Sequence, residues 1–256
     1  MKIIACYSNK GGVGKTATAV NLAHALAASG RRTLLCDLDP QGASGFYFRV
    51  KPSRKLGEAR FFTDEDRLAD AIRGSDYEGL DILPANMAFR NFDAVLSQMK
   101  QPRSRLKKAL AAIGAEYEVI LLDCPPSIST LSENVFRAAD AIVVPVIPTT
   151  LSQRTFQQLV AFFTDNDLQA DKLQGLFSMV QSSKKLHTET MQALRADYPG
   201  RFLATQIAFA SDVERMGVTR APVTATLPGS AAARAYRALC DELVARLGIG
   251  PTVGLP

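Results

Sequence analysis

Tryptophan is absent from the 256 residues, histidine occurs twice, and aromatic residues make up only 7%. Four cysteines, Cys6, Cys36, Cys124 and Cys240, are scattered without a Cys-x-x-Cys pair or a histidine partner. A zinc site is therefore not expected, and the thiols read as small buried hydrophobes in a reducing compartment. No apolar run reaches the ~18 residues of a membrane span. The start, Met1-Lys2-Ile3-Ile4-Ala5-Cys6, has no secretory cleavage pattern, so a mature cytoplasmic beginning is expected. Internal repeats and low-complexity stretches are also missing.

What is present is an ordinary folded composition, 47% hydrophobic and 21% charged, in a chain long enough for one full core. The net charge is +5, unevenly spread: +4 over residues 46–110 and −5 over residues 111–175. Such a modest excess permits a polyanionic partner without requiring one.

Short β-rich runs alternate with helical patterns. The expected strands are Lys2–Ser8, Arg32–Asp37, Leu80–Leu83, Val119–Asp123, Ala141–Ile147, Leu173–Val180 and Phe202–Ile207. Continuous apolar runs such as Val119-Ile120-Leu121-Leu122 point to strands covered on both faces, as in parallel sheets. Thr16–Ala28 is apolar nearly all round and predicts a buried helix. Asp66–Arg73 and Arg103–Ile113 look amphipathic, and Leu151–Phe163 places Leu151, Thr155, Leu159 and Phe162 or Phe163 on one stripe. Ser230 is placed to cap a last helix ending at Leu247. The alternation implies one three-layer α/β domain over residues 1–247, with a mostly parallel twisted sheet between helices. Gln41–Thr63 is the least regular stretch and predicts a surface excursion; residues 248–256 predict a disordered tail.

The strongest signal is Lys10-Gly11-Gly12-Val13-Gly14-Lys15-Thr16 between a strand and a helix. Glycines let successive N–H groups turn toward phosphate oxygens, and the following helix adds its positive end. Lys15 can reach the β- and γ-phosphates, and the Thr16 hydroxyl can take Mg²⁺. Against the general G-x-x-x-x-G-K-[ST] pattern, Asn9 stands at the first glycine and a second lysine, Lys10, opens the loop.

That form resembles the deviant Walker A ATPases, and most of the chain resembles the ParA/MinD family. The further motifs are Asp37-Leu38-Asp39-Pro40-Gln41-Gly42, Leu80-Asp81-Ile82-Leu83-Pro84-Ala85-Asn86 and Leu121-Leu122-Asp123-Cys124-Pro125-Pro126-Ser127. The resemblance implies two subunits sandwiching ATP, with Lys10 reaching the partner's phosphates as an arginine finger does. It implies that Asp39 positions the attacking water and that Asp37 and Asp123 sit near magnesium, through waters. The competing assignment makes Asp37 or Asp39 a helix or turn cap. Ala17 replaces a hydroxyl residue common in relatives, leaving only its backbone N–H for the α-phosphate. By the same resemblance, adenine lies between Met179 and Gln181 on one side and Phe209 and Ala210 on the other. A core-packing role is the alternative for Met179 and Phe209.

Three functional readings compete. A ParA-type positioning ATPase needs basic residues on one dimer face to hold nonspecific DNA. The last third supplies Lys184, Lys185, Arg195, Arg201, Arg215 and Arg220, and Asp212-Val213-Glu214-Arg215-Met216-Gly217 with Arg220-Ala221-Pro222 looks like a ParA DNA-contact region. A MinD-type membrane ATPase needs a C-terminal basic amphipathic helix, which Ser230–Leu247 does not resemble. Chemical enzymes on this scaffold would need exposed cysteine ligands or an added glutaminase domain, for which the length leaves no room. No helix-turn-helix or N-terminal extension is apparent, so operator recognition is not expected. The preferred reading is a homodimeric, Mg·ATP-dependent ATPase, cytoplasmic and nucleoid-associated. It would hold DNA through Lys184, Lys185, Arg215 and Arg220 and answer to a ParB-like or cargo-adaptor partner.

Overall fold

The computed structural model describes residues 1–250. In chain order it runs β1 (Lys2–Cys6), α1 (Lys15–Ala28), β2 (Thr33–Asp37), α2 (Ala43–Tyr47), α3 (Glu58–Thr63), α4 (Glu65–Ala69), β3 (Arg73–Gly74) and β4 (Leu80–Leu83). Then come α5 (Phe92–Gln98), α6 (Arg105–Ile113), β5 (Val119–Asp123), α7 (Thr130–Ala138), β6 (Ala141–Val146), α8 (Thr150–Asp165) and β7 (Leu173–Val180). The chain closes with α9 (Lys185–Asp197), β8 (Phe202–Ala208), α10 (Ser211–Glu214), α11 (Met216–Thr219), α12 (Val223–Thr226) and α13 (Ala231–Leu247).

One sheet of order β3-β4-β2-β5-β1-β6-β7-β8 carries the domain. Every neighbouring pair is parallel except β3 with β4. The all-apolar strands are buried because both faces are covered. One core holds Ile4, Cys6, Leu35 and Leu121 against α1 and α13; the other holds Ala5, Cys36, Ile120 and Leu122 against α3 to α8. All four cysteines are buried and free, as their apolar contexts predict.

Several expectations shift. Gln41–Thr63 is not a surface excursion: it forms α2 and α3, and Leu56, Phe61 and Phe62 are buried. Phe61, Phe62, Phe89 and Phe92 meet in one aromatic cluster with ring centroids 4.3 to 5.4 Å apart. Two short helices hide their period better than one long one. The helix expected over Asp66–Arg73 stops at Ala69, and Arg73 enters the antiparallel edge strand. In α8 the buried stripe is Ser152, Phe156, Leu159 and Phe163, while Leu151 is 67% exposed. The capping hydroxyl of Thr149, which accepts from Ser152 N–H, sets this rotation.

Ser230 does cap α13, accepting from Ala233 N–H at 3.1 Å. The tail read as disordered from Gly248 begins with structure. Gly248 closes α13 at φ 59°, and Ile249 N–H returns to the Val244 carbonyl at 3.0 Å. Residues 251–256 lie outside the described residues.

Candidate nucleotide-binding site

The parallel registers build the site before any loop is considered. Asp37 ends β2 and Asp123 ends β5, and the two are direct partners across neighbouring strands. Cys6, the last residue of β1, pairs with Asp123 on the other side. The phosphate loop leaves β1 at this edge, so the glycines, Lys15 and both carboxylates converge at the carboxyl ends of the strands.

Gly12 and Gly14 adopt φ of 71° and 91°, which only glycine takes freely. A Cβ at Gly14 would stand 3.1 Å from Ser178 Oγ and 3.8 Å from Met179 Cε. Gly14 also caps α1 without a side-chain acceptor, leaving the first-turn N–H groups of Lys15, Thr16 and Ala17 for an anion. Lys15 is buried, and its ammonium donates to the Lys10 carbonyl at 3.2 Å, across the loop it would serve. Burial lowers its pKa, while the nearby Asp123 and Asp39 carboxylates work to raise it. Lys10 donates from Nζ to Ser152 Oγ at 3.4 Å, at the start of α8 in its own chain.

Asp37 and Asp123 are 0% and 1% exposed. Asp37 Oδ2 accepts from the N–H groups of Ser44 and Gly45, at 3.0 and 3.4 Å, and its Oδ1 from Asp39 N–H at 3.2 Å. Asp37 thus does cap α2, as the competing assignment had it, while also facing Asp123. Asp123 Oδ2 accepts from the Ser44 hydroxyl, but its Oδ1 is buried with no hydrogen-bond partner. Burial first, and then the neighbouring Asp123 charge, push the Asp37 pKa upward. Burial likewise lifts Asp123 to about 6, against the pull of the Ser44 and Thr16 hydroxyls.

Two buried acids with an orphaned oxygen fit a cation better than they fit each other. Among the described residues no cluster of three or more His, Cys, Asp or Glu gathers to hold a metal by itself. Mg²⁺, which keeps waters and shares substrate phosphates, fits the paired acids and the orphaned oxygen with Thr16 beside them. Asp39 is partly exposed at the rim; its Oδ1 accepts from Gln41 N–H at 3.0 Å in a turn.

The remaining expected residues separate into two groups. Met179 stands beside the loop with φ 53°, at an irregular register between β7 and β8. Phe209 follows β8, 50% exposed, with its N–H on the Val180 carbonyl at 2.9 Å, so neither residue is a core filler. Lys184, Lys185, Arg215 and Arg220 are all exposed, on segments that follow β7 and β8 at the same sheet edge. Arg195 and Arg201 lie at the opposite sheet edge, where β8 begins. Arg195 donates to the carbonyls of Leu203 and Ala204 and lies over the Phe177 ring, and Arg201 donates to the Ala170 carbonyl.

Ser44 and Asn21 carry no motif of their own in the chain. Ser44 joins both carboxylates. Asn21, buried on α1, accepts from the Thr224 N–H and hydroxyl at 3.1 and 3.2 Å, fixing the segment beyond Arg220 to the helix that follows the loop.

Residues 1–194 match a family model described as an AAA domain. The virulence plasmid ParA family protein pGP5-D of Chlamydia psittaci is 30% identical over 250 residues, 96% of each chain. The sporulation initiation inhibitor protein Soj of Bacillus subtilis is 40% identical over 147 residues, 57% of this chain and 58% of Soj. The chain spans little more than half the length of these more identical curated relatives. A cobyrinic acid a,c-diamide synthase of Mycobacterium smegmatis, solved with an ATP analog and magnesium, superposes with a TM-score of 0.80 at 28% identity. The match covers 97% of this chain and 96% of that one. A synthase of this length therefore exists on the scaffold, and length alone does not set the chemical readings aside. With the deviant loop, the paired carboxylates and a full-length ParA relative in place, the chain belongs to the ParA/MinD family of deviant Walker A ATPases, on the ParA-type branch.

Proposed function

We propose that this chain is a positioning ATPase whose ATP-bound dimer holds nonspecific DNA and releases it on hydrolysis. The observation that carries the reading is the buried Asp37–Asp123 pair with its orphaned oxygen, beneath a glycine loop, Lys15 and Thr16. Gly11, Gly12, Val13, Gly14, Lys15, Thr16 and Ala17 receive the phosphates through backbone N–H groups, and the Lys15 ammonium exchanges the Lys10 carbonyl for phosphate oxygens. Thr16, Asp37 and Asp123 would hold Mg²⁺, which would offset phosphate charge. Met179 and Phe209 flank the base.

Lys10 leaves Ser152 and reaches across the dimer to offset charge developing in the partner's phosphoryl transfer. Asp39, at the rim, orients the attacking water. Loss of the γ-phosphate releases Asp39, the Pro125-Pro126 segment and Lys10, and the subunits part. Lys184, Lys185, Arg215 and Arg220 supply backbone contacts without sequence readout. A ParB-like or cargo-adaptor protein stimulates turnover, and the chain resides in the cytoplasm on the nucleoid. Among the described residues no helix is long and apolar enough to cross a membrane.

The end-to-end match to the M. smegmatis synthase supports a second reading, an ATP-dependent amidation of a carboxylic acid. One assay separates the two. ATPase and mobility-shift measurements with and without ATP, duplex DNA and anionic liposomes should give ATP-dependent DNA shifts and no liposome binding. Turnover that needs a carboxylic-acid co-substrate and ignores DNA would transfer the chain to the second reading.

A further inference from the structure

Arg220 is one of the four side chains assigned to DNA, yet it is not free. Its Nε donates to the Phe46 carbonyl at 3.1 Å, and its guanidinium lies over the Phe46 ring, 4.6 Å from the centroid. Phe46 belongs to α2, whose first turn hangs on the two buried carboxylates: Ser44 and Gly45 N–H on Asp37, Ser44 hydroxyl on Asp123. Just beyond α2, Arg49 donates from Nη2 to the Thr219 carbonyl at 2.9 Å. One short helix therefore touches the nucleotide site at one end and residues 219–220 at the other.

Phe46 is 47% exposed, so burial does not account for it. Arg49 and Arg220 adopt φ of 58° and 50°, a left-handed region that L residues hold only where their surroundings insist. A ring neutralises nothing: a guanidinium parked on it keeps its full charge for a phosphate. The terminal amino groups of Arg220 make no hydrogen bond or ion pair among the described residues.

We propose that Phe46 is a positioning residue that couples the carboxylate site to Arg220, so that nucleotide state sets how Arg220 is presented to a phosphate backbone. The proposal rests on the ATP and DNA readings above. Any redistribution of charge on Asp37 and Asp123 is felt first by Ser44 and Gly45. A five-residue helix has too little slack to absorb that shift before Phe46. By linkage, DNA held through Arg220 must in turn change nucleotide affinity by the same factor.

The test is hydrogen exchange of residues 211–222 in the full chain, with and without magnesium and a slowly hydrolysed ATP analogue. In the unmodified protein the nucleotide should change exchange there. Phe46→Ala should bind the analogue as before but lose that change, and Phe46→Tyr, which keeps the ring, should restore it. Phe46→Leu replaces Phe46→Ala should the latter fail to fold. On duplex DNA with the analogue, Phe46→Ala and Arg220→Ala should each weaken binding about tenfold and lower the salt slope by about 1. The double variant should be no worse than either single one. A segment indifferent to nucleotide in the unmodified protein, or an intact response in Phe46→Ala, overturns the coupling while leaving DNA binding standing. A nucleotide response without any DNA binding keeps the coupling and removes the DNA reading instead.

Discussion

The Ser44 hydroxyl donates to Oδ2 of Asp123 across 2.8 Å, tying the turn after β2 to the end of β5. The bond satisfies one oxygen of a buried acid and leaves the other bare. Without a cation, the site is therefore a place where the fold carries unfavourable charge, and that gives it a measurable pH signature.

Asp123 titrates near 6 when folded, against an ordinary carboxylate value near 4. The folded chain holds the extra proton between these values. Stability of the nucleotide-free chain should therefore fall as pH rises above about 4, and the buried Asp37 carboxyl, also raised, adds to the slope. Asp123→Asn should flatten that slope and raise the melting temperature at neutral pH. Thermal melts across the window check it, and a variant that melts lower at pH 7 would contradict the charge assignment.

Lys15→Ala removes the ammonium beside the carboxylate pair. We expect fluorescent ATP analogue binding to fall at least tenfold, with the fold intact by circular dichroism. Unchanged affinity would remove the loop from the phosphate role.

The Asp39 carboxylate makes a turn hydrogen bond to Gln41 N–H, so loss of the side chain should cost little stability. Asp39→Ala should bind ATP and form a dimer that persists on DNA, with turnover reduced about a hundredfold. Light scattering and phosphate release measure both. A variant that turns over normally leaves Asp39 without a catalytic role.

Lys185 pairs with Glu189 at 3.3 Å on a fully open surface, an interaction worth little to the fold. Replacing Lys184 and Lys185 together with Glu should abolish DNA binding while ATP-dependent dimerisation continues. DNA binding that survives with an unchanged salt slope would place the interface elsewhere.

Gly175 faces the Phe202 ring, which stacks on Phe177 with centroids 4.5 Å apart. A Cβ at Gly175 would run into that ring. Gly175→Ala should destabilise the fold by about 1–3 kcal/mol in denaturant titration without altering nucleotide affinity. A neutral substitution would mean that the stack can slide aside.

Much of this was legible in the chain. Among the described residues the apolar runs located seven of the eight strands, because parallel strands covered on both faces write continuous hydrophobicity. The missing one, Arg73–Gly74, is two residues at an edge and has no such signature. In the α8 stripe Leu159 and Phe163 are buried as expected, but Ser152 and Phe156 take the places read for Leu151 and Thr155, since the Thr149 cap decides where the helix begins. The short helices α2 and α3 escaped notice because five or six residues do not complete a readable period.

The order of residues by itself determined the chemistry: glycines where backbone must approach phosphate, a lysine and hydroxyl after them, and acids closing apolar strands. Only the tertiary structure decided which groups share charge and which are already engaged. Strand register set Asp37 beside Asp123, burial left one oxygen bare, and chain direction put Arg195 and Arg201 at the start of β8 while packing tied Arg220 to Phe46. Local sequence fixes donors and acceptors, but their partners lie as far as 203 positions away, and only the folded sheet brings them within hydrogen-bond reach.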